Sequence, residues 1–157
     1  MATLIITSGL PFSKRDSYVR NLDKSYTIIS REVSRGHLFG YDRETSTARE
    51  VEITRDMKFR LGKAYLSGLD ICYNSTNCMG CFIDKLIAEC PAEYEIRVKF
   101  FDCSIYRAII GNILQWLKNS KWIPIDVLLA LKGGYDTIDK DKYRVFNNEL
   151  SIVQKHW

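Results

Sequence analysis

The sequence predicts a single α/β domain built on a four-stranded parallel sheet with helices on both faces. Three observations point there. Short runs rich in β-branched residues alternate along the chain with longer amphipathic segments, and those runs are apolar at consecutive positions, as strands covered on both faces are. A chain of 157 residues, 46% of them apolar, is also long enough to enclose one core.

The elements follow in order. Thr3 to Thr7 (TLIIT) reads as a buried strand that stops at Ser8-Gly9, and after GLPFSK a helix begins near Arg15. Tyr26 to Ser30 (YTIIS) is the second strand, followed by a polar stretch. From Val51 to Ser67, Met57, Leu61 and Ala64 fall at helical spacing. Leu69 to Tyr73 is the third strand, and Cys78 to Cys90 is a helix closed by Pro91, with Phe82, Ile83, Leu86 and Ile87 on one face. Tyr94 to Phe101 is the fourth strand. Ser104 to Lys118 is a further helix, and Pro124 opens a last one that Gly133-Gly134 is expected to terminate at Leu131. Asp141 to Trp157 alternates apolar and polar residues around YRVF and LSIV, as an edge strand or a tail packed on a partner would. The organisation expected is one domain over residues 1–140 and an extension over 141–157.

Composition limits the function classes. No apolar run approaches the roughly 18 residues of a membrane helix, and MATLIITSGL lacks a basic lead, so a soluble cytoplasmic protein with no membrane partner is expected. The net charge of +4 is spread along the chain, which favours anionic partners only weakly. Five cysteines, an odd number, argue for free thiols in a reducing compartment. Cys78 and Cys81 have the C-x-x-C spacing of a zinc knuckle that Cys72 and Cys90 could complete. Because Cys72 falls in a strand and C-x-x-C opens a helix, buried structural thiols are the favoured reading and no metal ligand is assigned.

In a parallel sheet, ligands bind beyond the carboxyl ends of the strands. The loop after the first strand has the context of a phosphate-binding P-loop, in which glycine-rich backbone wraps the phosphates, a lysine reaches them and a hydroxyl holds the metal. Gly9, Pro11 and Ser13 suit a G-x-P-x-S-x-K-S loop, but Lys14 replaces the second glycine, Arg15 the lysine and Asp16 the hydroxyl; Ser17 offers a hydroxyl one position later. Taken alone, SGLPFSKRDS could be an ordinary strand-to-helix turn.

Four segments in order carry a wider likeness: LIITSGLPFSKRDSYVR, IISREVSR, YNSTN and WIPIDVL. Over roughly residues 3–132 the chain resembles the 5′-kinase domain of phage polynucleotide kinase, a P-loop enzyme that phosphorylates 5′-hydroxyl ends of DNA and RNA. The resemblance implies a P-loop kinase-like three-layer sandwich. It places Glu32 at the general base, Arg31 and Arg35 beside it with Arg35 on the acceptor's phosphate backbone, and Thr76 and Asn77 near the acceptor. Ser75 stands where the family has an acidic residue. Arg107, Lys118 and Lys121 are the cations left in a lid that has become more apolar. A chain of this length matches a lone kinase domain, without the phosphatase module that often accompanies it.

The departures bear on catalysis. Lys14 lacks glycine's freedom at positive φ, Arg15 is a wide planar fork where a compact ammonium belongs, and Asp16 sets negative charge beside an anion site. Positioning and electrostatics are nearly all of phosphoryl-transfer catalysis. The expectation is a phage-encoded, catalytically impaired relative that requires no cofactor and binds a host protein or nucleic acid. The alternatives are an active divergent kinase using ATP and Mg²⁺, and a nucleic-acid end binder using Arg31 and Arg35. A loop collapsed onto Arg15 or Asp16 would favour the impaired form, whereas an open backbone nest over residues 9–15 would favour the kinase. Arg31, Glu32 and Arg35 could equally be a solvated ion cluster, and Trp116 and Trp122 with their Ile and Leu neighbours are read as core rather than as a partner-binding face. His37 and His156 have no partner that would make a dyad.

Overall fold

The computed structural model describes residues 1–40 and 46–146. The elements are β1 (Thr3–Gly9), α1 (Arg15–Arg20), β2 (Thr27–Ser30), α2 (Arg31–Phe39), α3 (Thr47–Leu66), β3 (Ile71–Asn74), α4 (Gly80–Glu89), β4 (Glu95–Phe101), α5 (Ile105–Asn119), α6 (Ile125–Asp136) and a 3-10 helix, Lys140–Phe146. The strands form one parallel sheet in the order β2-β3-β1-β4, sandwiched between helical layers. Leu4 lies opposite Ile71 on one side and Ile96 on the other, and Ile29 opposite Tyr73. Every residue of β1 is buried, which is why its run is unbroken by polar alternation.

The core gathers Leu4, Ile6, Ile29, Ile71 and Val98 from the strands, with Ile53, Met57 and Leu61 of α3 and Ile83 of α4 against them. From β1 the chain goes out to β2, returns through β3 and crosses to β4 beyond β1. The loops after β1 and β3 therefore meet at the carboxyl edge of the sheet, where a crevice is expected.

Four elements differ from the sequence reading. The polar stretch after β2 is a helix, α2, because the Ser30 hydroxyl accepts the Val33 N–H at 3.1 Å and caps it. Likewise α3 starts at Thr47, one turn before Val51, with the Ser46 hydroxyl accepting the Arg49 N–H.

Gly133-Gly134 does not end α6, which runs through both to Asp136. Tyr135 is buried and its hydroxyl donates to Asp102 at 2.6 Å, so tertiary packing carries the helix past two poor helix formers. Gly134 is also where α6 meets the loop before α4: a Cβ there would stand 2.5 Å from the Cys78 carbonyl oxygen. The glycine is thus a contact point between backbones, not a stop.

YRVF is not a strand. It lies in the 3-10 helix, held by the Tyr143 hydroxyl, which donates to Asp84 at 2.7 Å, and by the Tyr143 ring 5.8 Å from that of Phe100. Lys142 donates to the same Asp84 at 2.9 Å. The LSIV half of the expected extension and His156 lie outside the described residues.

Candidate functional site

The ends of β1 and β3 are laced together. The Gly9 N–H donates to the Thr76 carbonyl at 2.9 Å, the Ser8 hydroxyl to the Asn77 carbonyl at 2.9 Å, and the Asn77 side-chain amide to the Thr7 carbonyl at 2.8 Å. Asn77 takes φ 39°, a left-handed conformation that asparagine tolerates better than most residues. It is buried, with its amide committed to the sheet; Thr76 is half-buried, its carbonyl occupied by Gly9. These two residues clasp β1 to the loop after β3.

Between them runs the loop 10–14, closed by a turn in which the Ser13 N–H donates to the Leu10 carbonyl at 3.2 Å. Phe12 sits in the left-handed region at φ 65°, and its ring lies over the middle of α5 at Gly111. A Cβ on Gly111 would come within 2.6 Å of the Phe12 Cγ, so the glycine leaves the space that the ring fills. The loop and α5 are therefore in contact through an aromatic side chain.

Arg15 opens α1, and its side chain turns inward. Its Nε and Nη1 are sealed from solvent without a hydrogen-bond partner, as is the Ser13 hydroxyl. Burial pushes the Arg15 guanidinium below its ordinary range, against the pull of neighbouring Asp16. The nearby thiols are no counter-charge: burial raises Cys72 to about 12 and Cys78 to about 11, so both are neutral at physiological pH. Asp16 is exposed and accepts the Asn74 amide at 3.3 Å. Lys14 and Ser17 are exposed. The Arg15 guanidinium is thus turned inward, while Lys14, Asp16 and Ser17 face solvent.

Arg31 and Arg35 converge on Glu50 of α3, each on one carboxylate oxygen. Arg31 also donates to the Thr54 hydroxyl and to the Glu50 carbonyl, both at 3.1 Å. Burial raises the affinity of Glu50 for a proton, but the two guanidiniums more than offset this and hold the carboxyl below its ordinary value of 4.5. Glu32, on the same first turn of α2, is exposed and makes no ion pair among the described residues. The cluster is therefore not the Arg31–Glu32–Arg35 set that helical spacing suggests but an Arg–Glu–Arg bridge between two helices. Glu50 was invisible to the sequence reading because the pairing depends on how α3 crosses α2.

This bridge has a pH signature. A carboxyl depressed in the folded state adds stability that is complete above its unfolded value and vanishes as pH falls through the folded one. The unfolding free energy of the native chain, from urea denaturation, is expected to exceed that of Glu50→Gln at neutral pH by about 0.5–1 kcal/mol, a modest figure because both partners are about one-third exposed. The gap should stay constant down to the ordinary 4.5 and close below it. A gap unchanged at lower pH would mean the bridge contributes nothing.

The lid cations do not converge. Arg107 and Lys118 are exposed on α5 eleven positions apart, about 16 Å along the axis at 1.5 Å per residue, and Lys121 is exposed beyond its end. Trp116 and Trp122 are about half exposed, so the core reading of this segment is overturned. Among the thiols, Cys72, Cys78 and Cys103 are buried but Cys81 is exposed, and no group of metal-ligating side chains forms among the described residues. No described helix is long and apolar enough to cross a membrane.

Comparison with solved structures places the fold. A chain of the Pnkp1/Rnl/Hen1 RNA repair complex superposes with a TM-score of 0.76 at 18% identity, over 90% of this chain and 46% of that one. A second structure of the Pnkp1/Rnl/Hen1 complex gives 0.58 at 19% identity, over 69% of this chain and 38% of the other. The protein thus shares the fold of a segment of those chains and spans less than half their length. No protein-family model and no curated protein matches the sequence.

Proposed function

We propose that the protein is a degenerate polynucleotide-kinase-like protein that transfers no phosphate and acts by binding a host protein or a nucleic acid. The observation that carries this reading is Arg15: its Nε and Nη1 are sealed from solvent, whereas a donor phosphate would have to be met at the surface. Phe12 adds to it by filling the space between loop and lid. The fold shared with chains of an RNA repair complex supports the kinase-like ancestry and a working life beside partners.

The residues present do not fit ATP and Mg²⁺. At the position where a hydroxyl would hold the metal, Asp16 is engaged with Asn74, and the lid offers three scattered cations in place of a clamp. Phosphoryl transfer depends on these parts acting together, so losing several removes most of the rate. Glu32 keeps an exposed carboxylate where a base would stand, yet a base without a positioned donor has nothing to assist. As for the acceptor side, an anionic strand approaching Arg31 and Arg35 must displace Glu50 from both, which favours a protein over a nucleic-acid end as the bound partner.

The test is transfer of label from γ-phosphate-labelled ATP, with Mg²⁺, to 5′-hydroxyl oligonucleotides. No transfer above background is expected. Label transfer that is lost in Glu32→Gln would overturn the proposal and establish an active kinase.

A further inference from the structure

The strongest unassigned feature is the outer face of α5. Tyr106, Ile110, Ile113 and Leu117 follow each other at i, i+4, i+7 and i+11, a continuous stripe one helix long, widened by Leu114. Their exposures are 76%, 58%, 42%, 69% and 61%. The opposite face carries buried Ala108 and Asn112, and the Asn112 amide group bonds the Ile123 backbone in both directions at 2.7 and 2.9 Å. The helix is therefore fixed from behind while presenting an apolar stripe outward. A contiguous exposed stripe of this kind marks an interaction surface.

Charge identifies what covers it. From Cys103 to Ile125 there is no acidic residue, while Arg107 and Lys118 flank the stripe. At 100° per residue both cations fall on the same edge of the helix. Two copies of α5 packed antiparallel about the middle of the stripe would set Arg107 of each against Lys118 of the other, so antiparallel self-pairing is opposed by like charges. A helix with its own apolar stripe and carboxylates along one edge meets both requirements.

We propose that the outer face of α5 docks an amphipathic helix of a partner protein, with acidic residues three turns apart pairing with Arg107 and Lys118. The surface names the partner class for the binding function proposed above and rests on that reading; label transfer tests the one and peptide binding the other, so their failures are separable. Exposed side chains do the docking, so the variants that test it leave the core intact.

The experiment is an anisotropy titration of the full chain with two fluorescent helical peptides of identical leucine stripe, one flanked by glutamates and one by lysines. The glutamate peptide is expected to bind at least ~10-fold tighter at low salt, with the preference shrinking at high salt. Leu117→Glu should abolish binding of either peptide, and the double variant Arg107→Glu, Lys118→Glu should reverse the preference. Melting curves of the variants confirm that each is folded. Equal binding of the two peptides, no binding of either, or a preference that survives charge reversal overturns the proposal. It is equally overturned by a dimer in sedimentation that Leu114→Glu dissolves, or by partition of α5 into phosphatidylcholine vesicles containing phosphatidylserine.

Discussion

Gly111→Ala should destabilise the protein by about 1–3 kcal/mol, and replacing Phe12 by glycine in the same chain, which removes its Cβ as well as its ring, should recover most of that loss. The added methyl would meet the Phe12 Cγ at 2.6 Å and its Cβ at 2.7 Å. A ring can swing away from a clash with its tip, but here the clash begins at the Cβ, so the backbone of the loop must move. That loop is already held at φ 65° by the Leu10–Ser13 turn, a conformation costing about 1 kcal/mol for a residue with a side chain. Alanine is intrinsically better than glycine in a helix by about 1 kcal/mol, so any net loss understates the clash. Urea denaturation of the two single variants and the double variant gives the coupling. If the double variant merely sums the singles, Phe12 does not hold the loop to α5.

Arg15→Met should act in the opposite direction, raising stability by about 1–3 kcal/mol, or very roughly 3–10 °C in melting temperature for a domain of this size. Two buried guanidinium nitrogens lack acceptors, and each such group forfeits the hydrogen bonds it makes in water. The adjacent Cys72 and Cys78 are neutral thiols and cannot compensate the charge. Methionine keeps a flexible unbranched stem in the same space without the charge. In a working P-loop the cation at this position is retained for its contact with phosphate, whatever it costs the empty fold. Thermal denaturation decides the matter: a melting temperature that falls in Arg15→Met would show that the guanidinium is satisfied where it lies.

Much of the fold is legible because its signals are local. TLIIT, YTIIS and the apolar residues of YEIRVKFF specify strands by their own composition, and Met57, Leu61 and Ala64 mark the buried face of α3 by spacing alone. The missed helix α2 is capped by Ser30 and tied to α3 through Glu50, and α6 passes through Gly133-Gly134 because Tyr135 is buried and donates to Asp102, 33 residues away. Local propensity is worth tenths of a kcal/mol to about one per residue, so one buried side chain with a satisfied hydroxyl overrides it.

Of the candidate site, local pattern is enough to list the residues and where they gather: a loop after β1, two arginines after β2, and Thr76 and Asn77 after β3, all at the carboxyl edge of a parallel sheet. Periodicity and turn residues fix elements and their order, and parallel order fixes where loops gather. Which way the charges face is set by packing. Arg15 turns inward, Arg31 and Arg35 are taken by Glu50, and the apolar residues of α5 that composition assigns to the core stand outside it. The physical reason is that a side chain's direction and partner depend on how helices cross, a property of residues far apart in the chain that no local pattern encodes.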